Sequence, residues 1–313
     1  MKTELVESYD LNKIFRKYRY GMDREVYIDL LGNVYIFDYR RHDILKLNLM
    51  EDKEELMDFA HVVGEQRLFT RGIAVDIEQN VFVCFEGGGV PLINKVAKVN
   101  ALGEVKNIYN LKNDMGVVKI CADAFSRLFV VYIPGRGLSE PFRFIVTETY
   151  NAQGDLVGEV QCDETFHFHP RLVTAGKNAD FYLSSSEHPY RVFKFHEQDA
   201  AFHVFTNKNY SENQNVYFDN TFDGKILTTA TNFWLNGIAF DISRNLLFVH
   251  GSLNRDNFID IWTEEGNLVS SNPHEGGPED RPHRFFFDKE GFLYTFLNWR
   301  GQAIVNKYKL HLP

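Results

Sequence analysis

Hydrophobic and polar residues alternate along most of the chain, and one arrangement of them returns at a fixed interval. Its copies share an apolar stretch that ends in Asp, a polar turn, and a second apolar run rich in Val, Leu and Phe. The clear copies are EVYIDLLGNVYIFD (25–38), GIAVDIEQNVFVCF (72–85), KICADAFSRLFVVY (119–132), GIAFDISRNLLFVH (237–250) and RFFFDKEGFLYTF (284–296). Asp29, Asp76 and Asp123 are 47 residues apart, as are Asp241 and Asp288. A weaker copy without the Asp, RLVTAGKNADFYLSS, occupies 171–185, which gives six units.

The rest of each unit predicts antiparallel strands. The Asp-x-x-Gly/Asn turn is typical of a hairpin, because Asn and Gly tolerate the positive φ that tight reversals need. A third apolar run follows, and several units add a Gly turn and a fourth short strand. Four strands in 40–50 residues are the signature of a propeller blade, whereas the two-residue alternation excludes a helical solenoid. We therefore predict an all-β fold, a single six-bladed β-propeller over 1–313, with blades starting near 24, 71, 118, 170, 236 and 283.

Two stretches fall outside the six units. The last unit has only three recognisable strands, and the N-terminal TELVESY has no hairpin partner nearby. Pairing of residues 3–9 with 303–311 would complete the last blade and remove an exposed edge. Residues 216–232 are either an inserted hairpin or part of a seventh blade.

The motif Gly-Ile-Ala-Val-Asp followed by Asn-Val-Phe-Val resembles the repeat of NHL proteins and their TolB-like six-bladed relatives. The resemblance is close in the second, fifth and sixth units. It implies the propeller fold but leaves function open, because such propellers include hydrolases, lyases, receptors and scaffolds.

Charge and cysteine content narrow the choice of partners. With 34 Lys and Arg against 43 Asp and Glu, the net charge of −9 does not favour nucleic acid, although a local basic patch remains compatible with it. The sequence contains no apolar run of 18 residues that would span a membrane. Three cysteines without a CxxC spacing are typical of a reducing compartment. We expect a cytoplasmic protein, or an exported one if a leader has been removed.

We call the five residues that end in the repeated Asp, together with their counterpart in the fourth unit, the pentad. The residues that precede the six pentads supply the candidate binding site. In a propeller these positions meet at one end of the central channel, and none of the six is acidic. Arginine offers a rigid fork of donors that suits carboxylate and phosphate, so the pattern predicts an anion-binding mouth. The alternative is that these arginines pair with neighbouring acids such as Asp23, Glu25 or Asp280. The predicted ligand-binding residues are Arg24, Arg71, Arg171, Asn236 and His283.

A metal site is the alternative chemistry. NGIAFD with LLFV also resembles the gluconolactonase family, in which the Asn of an N-G-L motif is a metal ligand, and Asn236 matches that position. His283 stands where the family has an Asp ligand, and the family's Glu position falls near Asp23 or Arg24. His169, two residues from His167, could add a third ligand for Ca²⁺ or Zn²⁺, as in NHL-type lyases.

These observations lead to one functional prediction with two alternatives. We predict a non-enzymatic binding propeller, without a cofactor, that recognises an anionic small molecule or peptide segment at the channel mouth. The alternatives are a metal-dependent hydrolase or lyase using Asn236, His283 and His169, and a scaffold that binds a protein partner.

Overall fold

The chain folds into strands over most of its length. In the computed structural model the described residues are 2–21, 24–59, 68–87, 93–112, 115–134, 145–162, 172–185, 190–196, 199–207, 219–222, 225–228, 233–253, 256–274, 284–299 and 302–312. Within these ranges no helix is both long and apolar enough to cross a membrane.

The elements of the described residues follow one another as six sets of strands, one separate hairpin and one short helix. The N-terminal elements are β1 (Lys2–Asp10) and α1 (Asn12–Tyr18). Blade 1 contains β2 (Arg24–Ile28), β3 (Val34–Asp38), β4 (Asp43–Asn48) and β5 (Lys53–Asp58). Blade 2 contains β6 (Leu68–Val75), β7 (Val81–Gly87), β8 (Ile93–Val99) and β9 (Val105–Asn110). Blade 3 contains β10 (Met115–Ala122), β11 (Leu128–Pro134), β12 (Ile145–Tyr150) and β13 (Leu156–Cys162).

The second half continues in the same order. Blade 4 contains β14 (Leu172–Ala175), β15 (Asp180–Ser185), β16 (Arg191–His196) and β17 (Asp199–Phe205). A separate hairpin follows, made of β18 (Asp219–Phe222) and β19 (Lys225–Thr228). Blade 5 contains β20 (Phe233–Asp241), β21 (Leu246–Leu253), β22 (Asp256–Thr263) and β23 (Leu268–His274). Blade 6 contains β24 (Arg284–Phe287), β25 (Leu293–Trp299) and β26 (Gln302–His311).

Six four-stranded antiparallel sheets confirm the predicted propeller. Five of them use four consecutive strands, and the sixth has the order β1-β26-β25-β24. The N-terminal strand closes the ring as expected: Thr3 lies opposite Leu310, and Tyr9 lies opposite Val305. The hairpin β18–β19 forms a two-stranded sheet of its own, so it is an insertion between blades 4 and 5 rather than a seventh blade.

The Asp that recurs in five units holds the turn between the first two strands of its blade. In blade 1, one carboxylate oxygen of Asp29 accepts the N–H groups of Leu31 and Asn33 at 2.9 Å, and the other accepts the Asn33 amide and the Tyr35 hydroxyl. Asp123 and Asp288 bind their own turns through the same pair of N–H groups. The motif is therefore structural, because it satisfies turn donors that would otherwise be buried without a partner.

Aliphatic and aromatic side chains fill the spaces between neighbouring blades. One cluster joins blades 1 and 2 around Tyr35 and Phe85, and another joins blades 4 and 5 around Tyr182 and Phe240. Helix α1 belongs to a third cluster, in which Phe15 packs with residues of blades 1 and 6. The six inner strands (β2, β6, β10, β14, β20 and β24) are held around a common axis by this packing.

Candidate functional site

The inner strands surround a central channel, and one position of each strand recurs in its lining. This position lies four residues before the end of each pentad, and we call its six residues the mouth ring: Glu25, Gly72, Lys119, Leu172, Gly237 and Arg284. The channel encloses a cavity of about 130 Å³. Three of the six residues are charged, so the ring combines one carboxylate, one ammonium and one guanidinium group.

The mouth ring is one residue later than the positions predicted from the sequence, and two residues later in blade 4, where Pro170 was predicted. In three of the inner strands a β-bulge lies beside the ring position. The register of β6 shifts between Thr70 and Gly72, so Arg71 has no residue directly opposite it. The same shift occurs at Val118 in β10 and at Asn236 in β20. A bulge adds one residue to a strand and redirects the side chains around it. The expectation that the mouth lacks acidic residues is therefore wrong, because Glu25 lines the channel.

The predicted site residues divide into four groups, of which Arg24 alone forms the last. Asn236 lines the channel, and its side-chain nitrogen is buried without a hydrogen-bond acceptor among the described residues. Arg71 is exposed, is not among the residues that line the channel, and forms an ion pair with Glu86. Arg171 and His283 lie outside the described residues, as do His167 and His169.

Arg24 does not join the channel residues. Its guanidinium lies 4.1 Å from the centre of the Phe15 ring and donates to the Gly21 carbonyl and to Asn298. It therefore packs against helix α1, an element that the sequence analysis did not identify.

Glu25 and Arg284 pair across the junction between the first and last blades. The carboxylate accepts hydrogen bonds from the Arg284 guanidinium and from the Tyr39 hydroxyl. Burial by itself would raise the pKa of Glu25, but Arg284, Lys119 and the two hydrogen bonds outweigh it and hold the pKa below its usual value. Glu25 is thus ionised at neutral pH, and its negative charge is already matched by Arg284.

The electrostatic surroundings of Lys119 differ from those of Glu25. Burial lowers the pKa of its ammonium group, the charges of Arg284 and Arg71 lower it further, and Glu25 partly opposes them. Lys119 makes no hydrogen bond or ion pair within the described part of the chain. Because Glu25 pairs with Arg284 and Glu86 with Arg71, Lys119 is left without a direct ion-pair partner among the described residues around the channel mouth.

The described donors in the channel do not suit a metal ion. The described residues contain no group of three or more His, Cys, Asp and Glu side chains that could hold one. The channel carboxylate of Glu25 is occupied by Arg284 and Tyr39, and Lys119 lies close enough to affect its pKa. A cation would be repelled by these positive charges, and Asn236 alone does not offset them.

Two other chemically active side chains are inert where they lie. Burial raises the pKa of the Cys121 thiol well above its usual value, so this channel-lining cysteine remains protonated and is a poor nucleophile. His250 is fully buried in blade 5, where its ring stacks on Phe285 at 4.7 Å and does not line the channel.

Comparison with known proteins supports the fold and leaves the family open. No protein-family model and no curated protein matches the chain. Among solved structures, the WD40 repeats of RRP9 superpose with a TM-score of 0.54 at 10% identity, covering 93% of this chain and 98% of that one. Regucalcin, a calcium-binding protein from Agrobacterium tumefaciens, gives 0.54 at 11% identity, covering 92% and 90%. A gluconolactonase from Xanthomonas campestris gives 0.50 at 14% identity, covering 89% and 82%.

These neighbours include both enzymes and repeat proteins, and identities of this order show the fold alone. The chain therefore has a six-bladed β-propeller fold, and its activity has to be argued from its own residues.

Proposed function

We propose that the protein is a binding propeller whose channel mouth takes a small anionic group, a carboxylate or a phosphate. The observation that carries this proposal is Lys119, a partly buried ammonium group that makes no hydrogen bond or ion pair with the described residues, and whose neighbouring carboxylate, Glu25, is already paired with Arg284. A charge held in that environment is costly unless an opposite charge accompanies it, so an anion would relieve the cost.

Neighbouring groups fit the same ligand. The Asn236 amide nitrogen is a buried donor that needs an acceptor, and an anionic oxygen would supply one. Arg71 and Arg284 add positive potential, although each already has a carboxylate partner. Arg171 and His283 remain predicted contributors from outside the described residues.

The size of the cavity limits the ligand. At about 130 Å³ it is smaller than the roughly 300–1,000 Å³ of pockets that enclose drug-sized molecules. We therefore infer that the channel accepts a small carboxylate or phosphate, or only the anionic end of a longer ligand such as a peptide.

Calorimetric titration tests the proposal. Acetate, pyruvate, succinate and inorganic phosphate would be titrated into the wild type and into Lys119→Met. Methionine keeps most of the length of the lysine side chain but removes its charge. Loss of one charge-assisted hydrogen bond should weaken binding roughly ten-fold or more. Lys98→Met is the matched control, because Lys98 is also buried but donates to the Ala152 carbonyl outside the channel.

Two results would contradict the proposal. The first is that none of these anions binds the wild type, and the second is that both lysine variants weaken binding equally. In either case the charge of Lys119 has no specific role in recognition.

A scaffold function is the second candidate, and a separate observation favours it. Five apolar side chains are exposed at turns on one face of blades 1, 2 and 3: Leu31, Met50, Ile77, Leu102 and Phe125. A contiguous exposed apolar patch often marks a protein-binding site, and the second candidate function requires these side chains to form one. Replacing Leu102 and Phe125 with Glu should abolish association with a protein partner and leave anion binding unchanged, which separates the two candidates.

Two finer predictions remain proposals. Relation to NHL and TolB-like propellers is supported by the Gly-apolar-Ala-apolar-Asp motif and by the six-bladed ring. A cytoplasmic location is supported by Cys84, Cys121 and Cys162, which are buried free thiols.

A further inference from the structure

A second basic site lies on the outside of the propeller, where helix α1 meets blade 1. Residues 12–24 carry five of the basic side chains of an otherwise acidic protein. Three of these, Arg16, Arg19 and Arg24, line one surface pocket of about 310 Å³ together with Asn12, Phe15 and Tyr20. None of these six residues lines the central channel.

The arginines of this pocket are poorly neutralised. The side chains of Arg16 and Arg19 are exposed and make no hydrogen bond or ion pair with the described residues. By contrast, the neighbouring Lys17 forms an ion pair with Glu54. The charge of Lys17 is therefore neutralised by Glu54. The guanidinium groups of Arg16 and Arg19, by contrast, are hydrogen-bond donors without an acceptor among the described residues.

Arg24 is the fixed member of the group. Stacking on Phe15 and bonds to Gly21 and Asn298 hold its guanidinium, yet its Nε is buried without an acceptor in the part of the chain that is described. Burial lowers the pKa of Arg24, and the charge of Asp38 only partly opposes this effect.

Asp38 does not neutralise Arg24 directly. Its carboxylate oxygens accept the backbone N–H groups of Gly21 and Arg40. Asp23, the residue before Arg24, lies outside the described residues.

We propose that this pocket binds a phosphate monoester. A phosphate group at neutral pH carries a charge of about −1.5 to −2 and three acceptor oxygens, and clustered guanidinium groups match both features. Arg24 provides the preorganised donor, whereas Arg16 and Arg19 are free to close on the ligand from helix α1. This site is independent of the channel mouth and does not rest on the function proposed for it.

A purely structural role for the arginines makes a different prediction. Basic side chains near the C-terminal end of a helix interact favourably with its dipole, and Arg16 and Arg19 occupy that end of α1. If this were their whole role, their replacement would lower thermal stability and would not change phosphate binding in the folded protein.

The test is titration of the full chain with inorganic phosphate and with phosphoserine, followed by calorimetry and ³¹P NMR. We expect both probes to bind, and the double variant Arg16→Ala/Arg19→Ala to weaken binding about ten-fold or more, since two charge-assisted contacts are lost. Arg16→Lys/Arg19→Lys should restore only part of the affinity, because the guanidinium fork is missing.

The controls separate this site from general charge and from the channel. Lys17→Ala removes a positive charge from the same helix but not from the pocket, so it should leave phosphate affinity within about two-fold. To keep the channel out of the measurement, the same comparison is repeated in a Lys119→Met background, where the loss caused by Arg16→Ala/Arg19→Ala should persist. Equal losses in Lys17→Ala and Arg16→Ala/Arg19→Ala, or no phosphate binding by the folded wild type, would overturn the proposal.

Discussion

The two ends of the inner strands differ in how far their residues vary from blade to blade. At the turn end, five of the six blades repeat an Asp whose carboxylate accepts N–H groups of its own turn. At the mouth end the mouth ring contains five different residue types at its six positions. The repeated end is what the fold requires of every blade. The varied end is not dictated by the fold, and the unneutralised Lys119 lies there.

The largest loss in the free energy of unfolding should come from replacing one of the repeated Asp residues. Asp29→Ala leaves two turn N–H groups, the Asn33 amide and the Tyr35 hydroxyl without their acceptor in a buried site. We expect a loss of roughly 3–5 kcal/mol in the free energy of unfolding, measured by urea denaturation.

An outer turn gives the matched control. Asn100 accepts the N–H groups of Leu102 and Glu104 in the same geometry, but at the surface. Asn100→Ala should therefore cost only about 1 kcal/mol, because water can replace the lost acceptor. Equal losses would show that the buried Asp has no special importance.

The next largest loss of stability should come from replacing a glycine in the same two turns. Gly32 and Gly103 both have a positive φ near 80°, but an added Cβ at Gly32 would lie 2.6 Å from the Tyr294 hydroxyl of blade 6, whereas at Gly103 nothing lies within 4 Å. Gly103→Ala should cost about 1 kcal/mol of conformational strain, and Gly32→Ala about 2 kcal/mol more. Differential scanning calorimetry of the pair measures the difference. Similar melting temperatures would mean that Tyr294 moves aside.

The sequence was sufficient to predict the repeated end of the strands. A fixed 47-residue interval, the Asp motif and the unpaired N-terminal strand predicted six blades and the closure of the ring, and both predictions are confirmed. They succeeded because each blade satisfies the same packing and hydrogen-bonding requirements with the same pattern of residues.

The varied end was predicted less well, for two physical reasons. Bulges at Arg71, Val118 and Asn236 add a residue beside the channel position in three of the six inner strands, and a bulge depends on backbone pairing that the pattern does not reveal. The pairing of Glu25 with Arg284 depends on ring closure, which brings together residues 259 positions apart. The position of Arg24 in turn depends on helix α1, for which Leu11 and Phe15, four residues apart and both buried, were the available signal.

A smaller loss of stability is expected when the paired charge of the channel mouth, the carboxylate of Glu25, is removed. Glu25→Gln removes the ion pair with Arg284 and should lower stability by roughly 1–2 kcal/mol at pH 7. Because the folded-state pKa of Glu25 is lowered, its contribution is present above its unfolded pKa of about 4.3 and is lost as the pH falls through the folded value.

Urea unfolding from pH 7 to pH 3 measures this dependence, and the curves of the variant and the wild type should converge at the acid end. The same variant should bind anions more tightly, because Arg284 is released. Glu54→Gln, which removes an exposed ion pair with Lys17, should show a much smaller difference. A constant difference between Glu25→Gln and wild type across the pH range would mean that packing, and not charge, accounts for the loss.

The smallest effect on stability should come from the unpaired charge. Lys119 keeps a positive charge in a partly buried site near Arg284 and Arg71, so Lys119→Met should leave stability at pH 7 unchanged or raise it by up to about 1 kcal/mol. The folded-state pKa of Lys119 is lowered, which means that the unfolded chain binds the proton more strongly. The wild type should therefore gain stability as the pH rises from the folded pKa toward the unfolded value of about 10.4, and the advantage of the variant should shrink over that range. Urea unfolding at pH 7 and pH 9, with anion titration on the same samples, provides the measurement. A variant that is several kcal/mol less stable at pH 7 would show that Lys119 supports the fold, and the contrast between the two ends of the inner strands would then be wrong.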